Sequence, residues 1–167
     1  LGAELEHPRF HGSIDNLISA LNQAYRRNGL ESVTIDAGAS APWERFGSTS
    51  ERVAASGPLV SIILVASPFV RHSLTAVKSI IAQSYQDWEL LLVDDGAPRE
   101  IAGELRAAAA LDERIRVIHH TQELGELARR EHTLHNEAQG EFIAFQSAHG
   151  WSHPRRIELQ VRNLIAR

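Results

Sequence analysis

The sequence predicts an α/β fold: a parallel sheet with helices on both faces over residues 58–167, preceded by an N-terminal helix and linker over residues 1–57. Three observations predict it. From Leu59 onward, short apolar runs alternate with longer stretches of helical spacing. The runs are continuous rather than alternating with polar residues, as in strands covered on both faces. Their strict strand–helix order is that of parallel sheets joined by right-handed crossovers.

The elements follow in order. Ser13 can cap a helix with Asn16 three residues on, and Ile14, Leu17, Ile18, Leu21, Ala24 and Tyr25 recur at helical spacing until Asn28-Gly29. Asp36 to Pro58 has the Ala/Gly/Ser/Pro composition of a linker, with a short helix around Trp43 to Phe46. The domain boundary falls near Gly57-Pro58. Leu59 to Ala66 reads as the first buried strand and Ser73 to Gln83 as the first crossover helix. Trp88 to Val93 is a second strand, ending at Asp94-Asp95-Gly96, and Ala-rich Glu100 to Leu111 a second helix. Ile115 to His119 is a third strand, and Glu123 to Gln139 a third helix stopped by Gly140. Phe142 to Phe145 is a fourth strand. A last helix opens at His153-Pro154, with proline in its first turn, and runs through Ile157, Val161 and Leu164.

Bulk properties narrow the function. With 167 residues, 43% of them apolar and 23% charged, the chain can bury a core and is no disordered segment. A net charge of -4 without a Lys/Arg run excludes a sequence-blind nucleic-acid binder. The lack of Cys excludes a disulfide framework and thiolate metal sites, and is compatible with the cytoplasm, the expected location. No apolar run approaches the ~18 residues of a membrane span. There is no Met, position 1 included, so the chain reads as a piece of a longer protein, whose remainder is its expected partner. No internal repeat and no G-x-G-x-x-G occur.

In such sheets ligands sit beyond the carboxyl ends of the strands, near the switch in strand order. Adjacent Asp94 and Asp95, leaving a buried strand, repel each other and lose solvation. A ligand donor, such as a base N–H or a ribose hydroxyl, can offset that; so can a cation; or one Asp caps the following helix while the other is solvated. The fourth strand end, Gln146 to His153, offers no carboxylate. There, His149 and His153 can face a metal across a turn, and His132 and His135 lie a turn apart on the preceding helix; solvated or capping histidines are the simpler reading. Arg129-Arg130 can approach a diphosphate or line a solvated helix face. Trp88 reads as a core anchor and Trp151 as packing under its loop. A receiver-like phosphorylation domain also ends a strand in paired acids. It needs a further Asp at another strand end, where this chain has Ala66, His119 and Gln146.

The order of these features resembles a known family. Pro58-Leu59-Val60-Ser61-Ile62-Ile63, then the long run from Ser79-Ile80-Ile81-Ala82-Gln83-Ser84-Tyr85 through Asp87-Trp88-Glu89-Leu90 to Val93-Asp94-Asp95-Gly96, are similar to the start of family 2 glycosyltransferases. So are Asp112-Glu113-Arg114-Ile115-Arg116-Val117-Ile118, Gly140 to Phe145, and Trp151-Ser152-His153-Pro154. The resemblance implies a GT-A fold, a Rossmann-like sheet that binds a nucleotide diphosphate sugar. It implies that the second acid of the pair, Asp95, holds the base. It further implies a divalent Mn or Mg ion, held by a later acidic cluster, bridging the diphosphate, and a general base from the half that follows.

The chain departs from that pattern where the ligand would be. Ser147, Ala148, His149, Gly150 and Trp151 align with the acidic motif, Ser67-Pro68 with the family's first strand end, and Arg130, Glu131 and His132 with its Ala-Arg-Asn. Without carboxylates, His149 alone is a poor ligand for a hard Mg or Mn ion. The expectation is therefore a degenerate domain with no catalytic residue and no metal site. Its weak contacts to a nucleotide diphosphate sugar would come from Asp94, Asp95, Ala66, Ser67 and Arg130. The alternative is a non-catalytic scaffold or interaction module of a polysaccharide-related protein.

Overall fold

The computed structural model describes residues 13–35, 46–48, 53–66, 73–96 and 99–166. The chain divides into two compact units, Leu1–Arg52 and Val53–Arg167.

In the first unit, α1 (Ile14–Arg27) begins as its sequence dictates: Ser13 Oγ accepts the Asn16 N–H at 3.1 Å. Two strands follow that periodicity does not reveal, β1 (Val33–Ile35) and β2 (Phe46–Ser48), paired antiparallel. Phe46 is thus in a strand rather than the anticipated short helix, whose remaining residues 43–45 lie outside the described ones. Asn22 fastens α1 to β1, exchanging side-chain hydrogen bonds with both the N–H and the carbonyl of Val33 at 2.7 and 2.9 Å.

The second unit is the parallel α/β sandwich. Its elements are β3 (Val60–Ala66), α2 (Ser73–Ile81), β4 (Trp88–Asp95), α3 (Arg99–Ala109), β5 (Ile115–His120), α4 (Glu126–Asn136), β6 (Phe142–Phe145) and α5 (Arg156–Ile165). The sheet order is β5-β4-β3-β6, all parallel. Strand order reverses at β3, so the switch crevice lies between the carboxyl ends of β3 and β6. Residues alternate between faces. Ile62, Leu64, Leu90 and Leu92 bury one face against Val77 and Ile80 of α2, Leu105 of α3, and Ile157 and Val161 of α5. Ile63, Val65, Leu91 and Val93 bury the other, with Leu134 of α4 against them. That two-sided cover explains the unbroken apolar runs.

The chain is sewn together at the amino ends of the strands. Ala55 donates to Ser84 O and accepts from Gln86 N–H at 2.9 and 2.7 Å, so the segment before β3 already belongs to this unit. The buried Gln83 side chain donates to the Ser79 and His153 carbonyls and accepts the Ile157 N–H, at 2.9–3.0 Å. Tyr85 Oη donates to Pro58 O at 2.7 Å. Arg114 grips Asp112 and lies 3.7 Å over the Trp88 ring, a stacking worth about 0.5–2 kcal/mol. At Gly140 a Cβ would sit 2.4 Å from Ser61 N and 2.8 Å from Leu59 O, so only glycine lets the α4–β6 turn approach β3.

Candidate functional site

β4 runs two residues further than its apolar run, through Asp94 and Asp95, both almost wholly buried. Each acid has its own partner. Asp94 Oδ2 lies 2.6 Å from Nδ1 of His119, on the neighbouring strand β5. Asp95 is enclosed more completely. Its Oδ1 accepts from Leu124 N–H at 3.0 Å and Arg129 Nε at 2.5 Å, and its Oδ2 from Gly125 N–H at 2.8 Å. Arg129, 4% exposed, also donates through Nη2 to the Gln122 carbonyl. Burial pushes the Asp95 carboxyl up, but Arg129 and the two backbone donors outweigh it and hold it below the usual carboxylate range. Asp95 therefore orders the 121–125 loop, and Gly125 takes φ +86 at the head of α4. Because these N–H groups turn toward Asp95, α4 starts at Glu126 rather than Glu123.

Histidines crowd the same rim. The His120 ring meets His132 edge-on at 5.3 Å, and His120 Nε2 is buried without a partner. Burial first, then the charge of Arg129 and the neighbouring His132, push the His120 imidazole below its ordinary value. His132 and His135 are exposed on α4. Arg130 pairs with Glu126 at 2.5 Å, and its guanidinium lies 5.0 Å from the Phe145 ring centroid, at the end of β6 beside the crevice. Ala66 packs in the core at the end of β3, opposite Asp94 in register, leaving its backbone as its only available contact. Ser67 lies outside the described residues.

The loop after β6 is built as a closed turn. Gln146 donates to the Ser147 and Gly150 carbonyls, both at 3.1 Å, and accepts from Ser152 Oγ at 2.6 Å. Ala148 is buried in the core cluster, while Ser147 and His149 are exposed. His153 is buried, its Nδ1 accepting the Arg155 N–H at 3.2 Å, and Trp151 meets it edge-on. Among the described residues no three His, Asp or Glu side chains converge as metal ligands. The turn's own donor set, two hydroxyls and one imidazole with Ala148 turned inward, does not fit a hard divalent ion that takes several carboxylate oxygens.

The glycosyl transferase family 2 model matches residues 74–167, from α2 to the end of the chain. The chain belongs to glycosyltransferase family 2. It is similar to the putative glycosyltransferase EpsE of Bacillus subtilis, 37% identical over 110 residues, covering 64% of this chain and 38% of that protein. A putative teichuronic acid biosynthesis glycosyltransferase of the same bacterium, TuaG, is 28% identical over 110 residues, covering 66% of this chain and 43% of the relative. The chain thus spans less than half the length of either. In fold it is similar to a mannosyltransferase from Pyrobaculum calidifontis, solved in complex with GDP-Man and Mn2+, with a TM-score of 0.53 and 19% identity over 66% of this chain and 34% of that one. The fold of the family 2 sheet is therefore present. Among the described residues no helix is long and apolar enough to cross a membrane.

Sequence reasoning missed two residues. Arg129 looked interchangeable with Arg130, yet it alone reaches Asp95. Its signal was available: a paired acid ending a buried strand requires a cation. Gln83 stood inside the most specific motif as a buried amide whose three partners lie up to 74 residues away.

Proposed function

We propose that residues 58–167 are the nucleotide-contacting half of a family 2 glycosyltransferase domain that transfers no sugar by itself. The observation that carries this reading is the turn after β6. Gln146 closes it, Ala148 fills it, and no carboxylate remains to hold a metal against a diphosphate. Enclosure of Asp95 by Arg129, Leu124 and Gly125 supports it further, since a base would have to displace internal donors. Residual contacts to a UDP- or GDP-type ligand would come from Asp94, Arg130, the backbone at Ala66, and Ser67. The reading places the protein in the cytoplasm, which cell fractionation of the natural protein tests. Calorimetric titration with UDP and GDP, with and without manganese, tests the proposal itself. The expected result is weak binding that manganese leaves unchanged; tight, manganese-enhanced binding refutes it.

A second reading, a non-catalytic interaction module, is favoured by the apolar surface at the far edge of the sheet. Phe145 and Leu164 are 44% and 52% exposed there. It predicts no heat from either nucleotide.

A further inference from the structure

His120 and His132 meet on elements that take no part in the turn after β6. His120 is the last residue of β5, in register with Asp95, and His132 lies in the middle of α4. A strand end and a helix thus hold the two imidazoles on rigid supports. Their ring centroids are 5.3 Å apart and their planes 89° from parallel. Residues 121–131, between them in the chain, include the loop that Asp95 orders.

His120 Nε2 is buried and has no hydrogen-bond partner. A buried imidazole nitrogen left unpaired is costly, whichever tautomer the ring takes. Edge-to-face packing of two rings supplies only a weak partner. A metal ion supplies a strong one. Zinc binds imidazole nitrogen at about 2.0–2.1 Å, and two ring centroids on one tetrahedral zinc then lie roughly 5 Å apart. The observed separation is that of a chelating pair. His132 is exposed, so an ion can enter from solvent on its side. The charge of Arg129 reaches His120 and opposes a cation there, but Asp95 neutralises Arg129 at 2.5 Å. Imidazole suits borderline ions such as zinc and nickel, whereas manganese prefers oxygen and binds nitrogen weakly.

We propose that His120 and His132 chelate one zinc-class divalent ion, clipping the end of β5 to α4, with water filling the remaining positions. The clip closes the chain around residues 121–131 and so steadies the loop on Asp95. Neither the 147–151 turn nor Asp94, Arg130, Ala66 or Ser67 takes part, so the site stands independently of the nucleotide reading.

The test is calorimetric titration of the 167-residue chain with zinc chloride, followed by thermal melts with and without the metal. The expected result is a zinc site whose occupancy raises the melting temperature by linkage. His120→Gln and His132→Gln should each weaken binding at least about tenfold, since changes even beyond the ligands cost about that much. Melts without metal check that both variants fold; should His120→Gln fail to, His132→Gln, at an exposed position, decides the matter. His135→Gln, one turn along α4, removes the rival pair on the helix surface and should leave the affinity unchanged. Excess manganese should not displace the zinc. No zinc binding, no rise in melting temperature, or binding indifferent to His120→Gln and His132→Gln overturns the proposal. So does binding that falls with His135→Gln and not with His120→Gln, or displacement by manganese, the mark of an oxygen-lined site.

Discussion

Two polar clusters of this domain differ in what their side chains are bonded to. At the amino side of the sheet, Gln83, Ser79, Ser84 and Tyr85 hold the α2 end to the 152–157 segment and to Pro58 through buried hydrogen bonds. These residues lie in the run that resembles the family. At the carboxyl side, the 147–151 turn offers Ser147, Ala148 and His149 and no carboxylate. The first cluster cannot vary without leaving buried polar groups unsatisfied, which the fold would feel at once. The second, in the function proposed above, would answer only to a ligand, and its turn is closed by Gln146. A family signature can thus report a scaffold and stay silent on chemistry.

The contrast can be broken by substitution. The largest effect is expected at the joint between the halves: Arg129→Met strands the Asp95 carboxylate in the interior and should cost about 3–5 kcal/mol in urea unfolding. The sign with pH follows from the depressed Asp95 carboxyl. Its contribution is fully present above the ordinary carboxylate range and is lost as pH falls through the lower folded value. Wild type should therefore lose stability in that acid window, and Arg129→Met should lose less of it. Gln83→Leu comes next. It abandons the Ser79 and His153 carbonyls and the Ile157 N–H, and should cost about 3 kcal/mol by the same measurement.

The two glycines sharpen the comparison. Gly140→Ala drives a Cβ into backbone at 2.4 Å and should cost about 1–3 kcal/mol. At Gly150 a Cβ meets the end of the Gln146 side chain at 3.2 Å rather than backbone, and Gly150→Ala should cost under about 1 kcal/mol. A Gly150 variant as damaging as the Gly140 one would mean that the turn is as constrained as the scaffold. The smallest effect is at His120, whose folded pKa is depressed. Stability should fall as pH drops below about 6.5, where the unfolded imidazole takes up its proton first. In His120→Gln that part of the slope should vanish in thermal melts run across the window.

The sheet and its crossover helices were legible because burial on both faces leaves continuous apolar runs, and Ser13 with Asn16 marked the start of α1. The three-residue strands β1 and β2 were not legible, being too short to show a period. The carboxyl end of β4 was only half legible. Asp94-Asp95 announced a need for compensation, but the compensating groups, His119, Leu124, Gly125 and Arg129, lie 25–34 residues downstream and only the fold brings them in. That the 147–151 turn carries no carboxylate was plain in the sequence. That Gln146 would bind this turn shut was not, because it donates to backbone carbonyls, which every residue carries.

The account turns on whether this turn can seat a metal against a diphosphate. Titrating manganese with UDP and following its paramagnetic resonance, with and without the chain, asks that directly. The predicted spectra are those of the manganese–UDP complex alone, unchanged by protein. A protein-bound manganese signal that appears only when UDP is present would contradict the account.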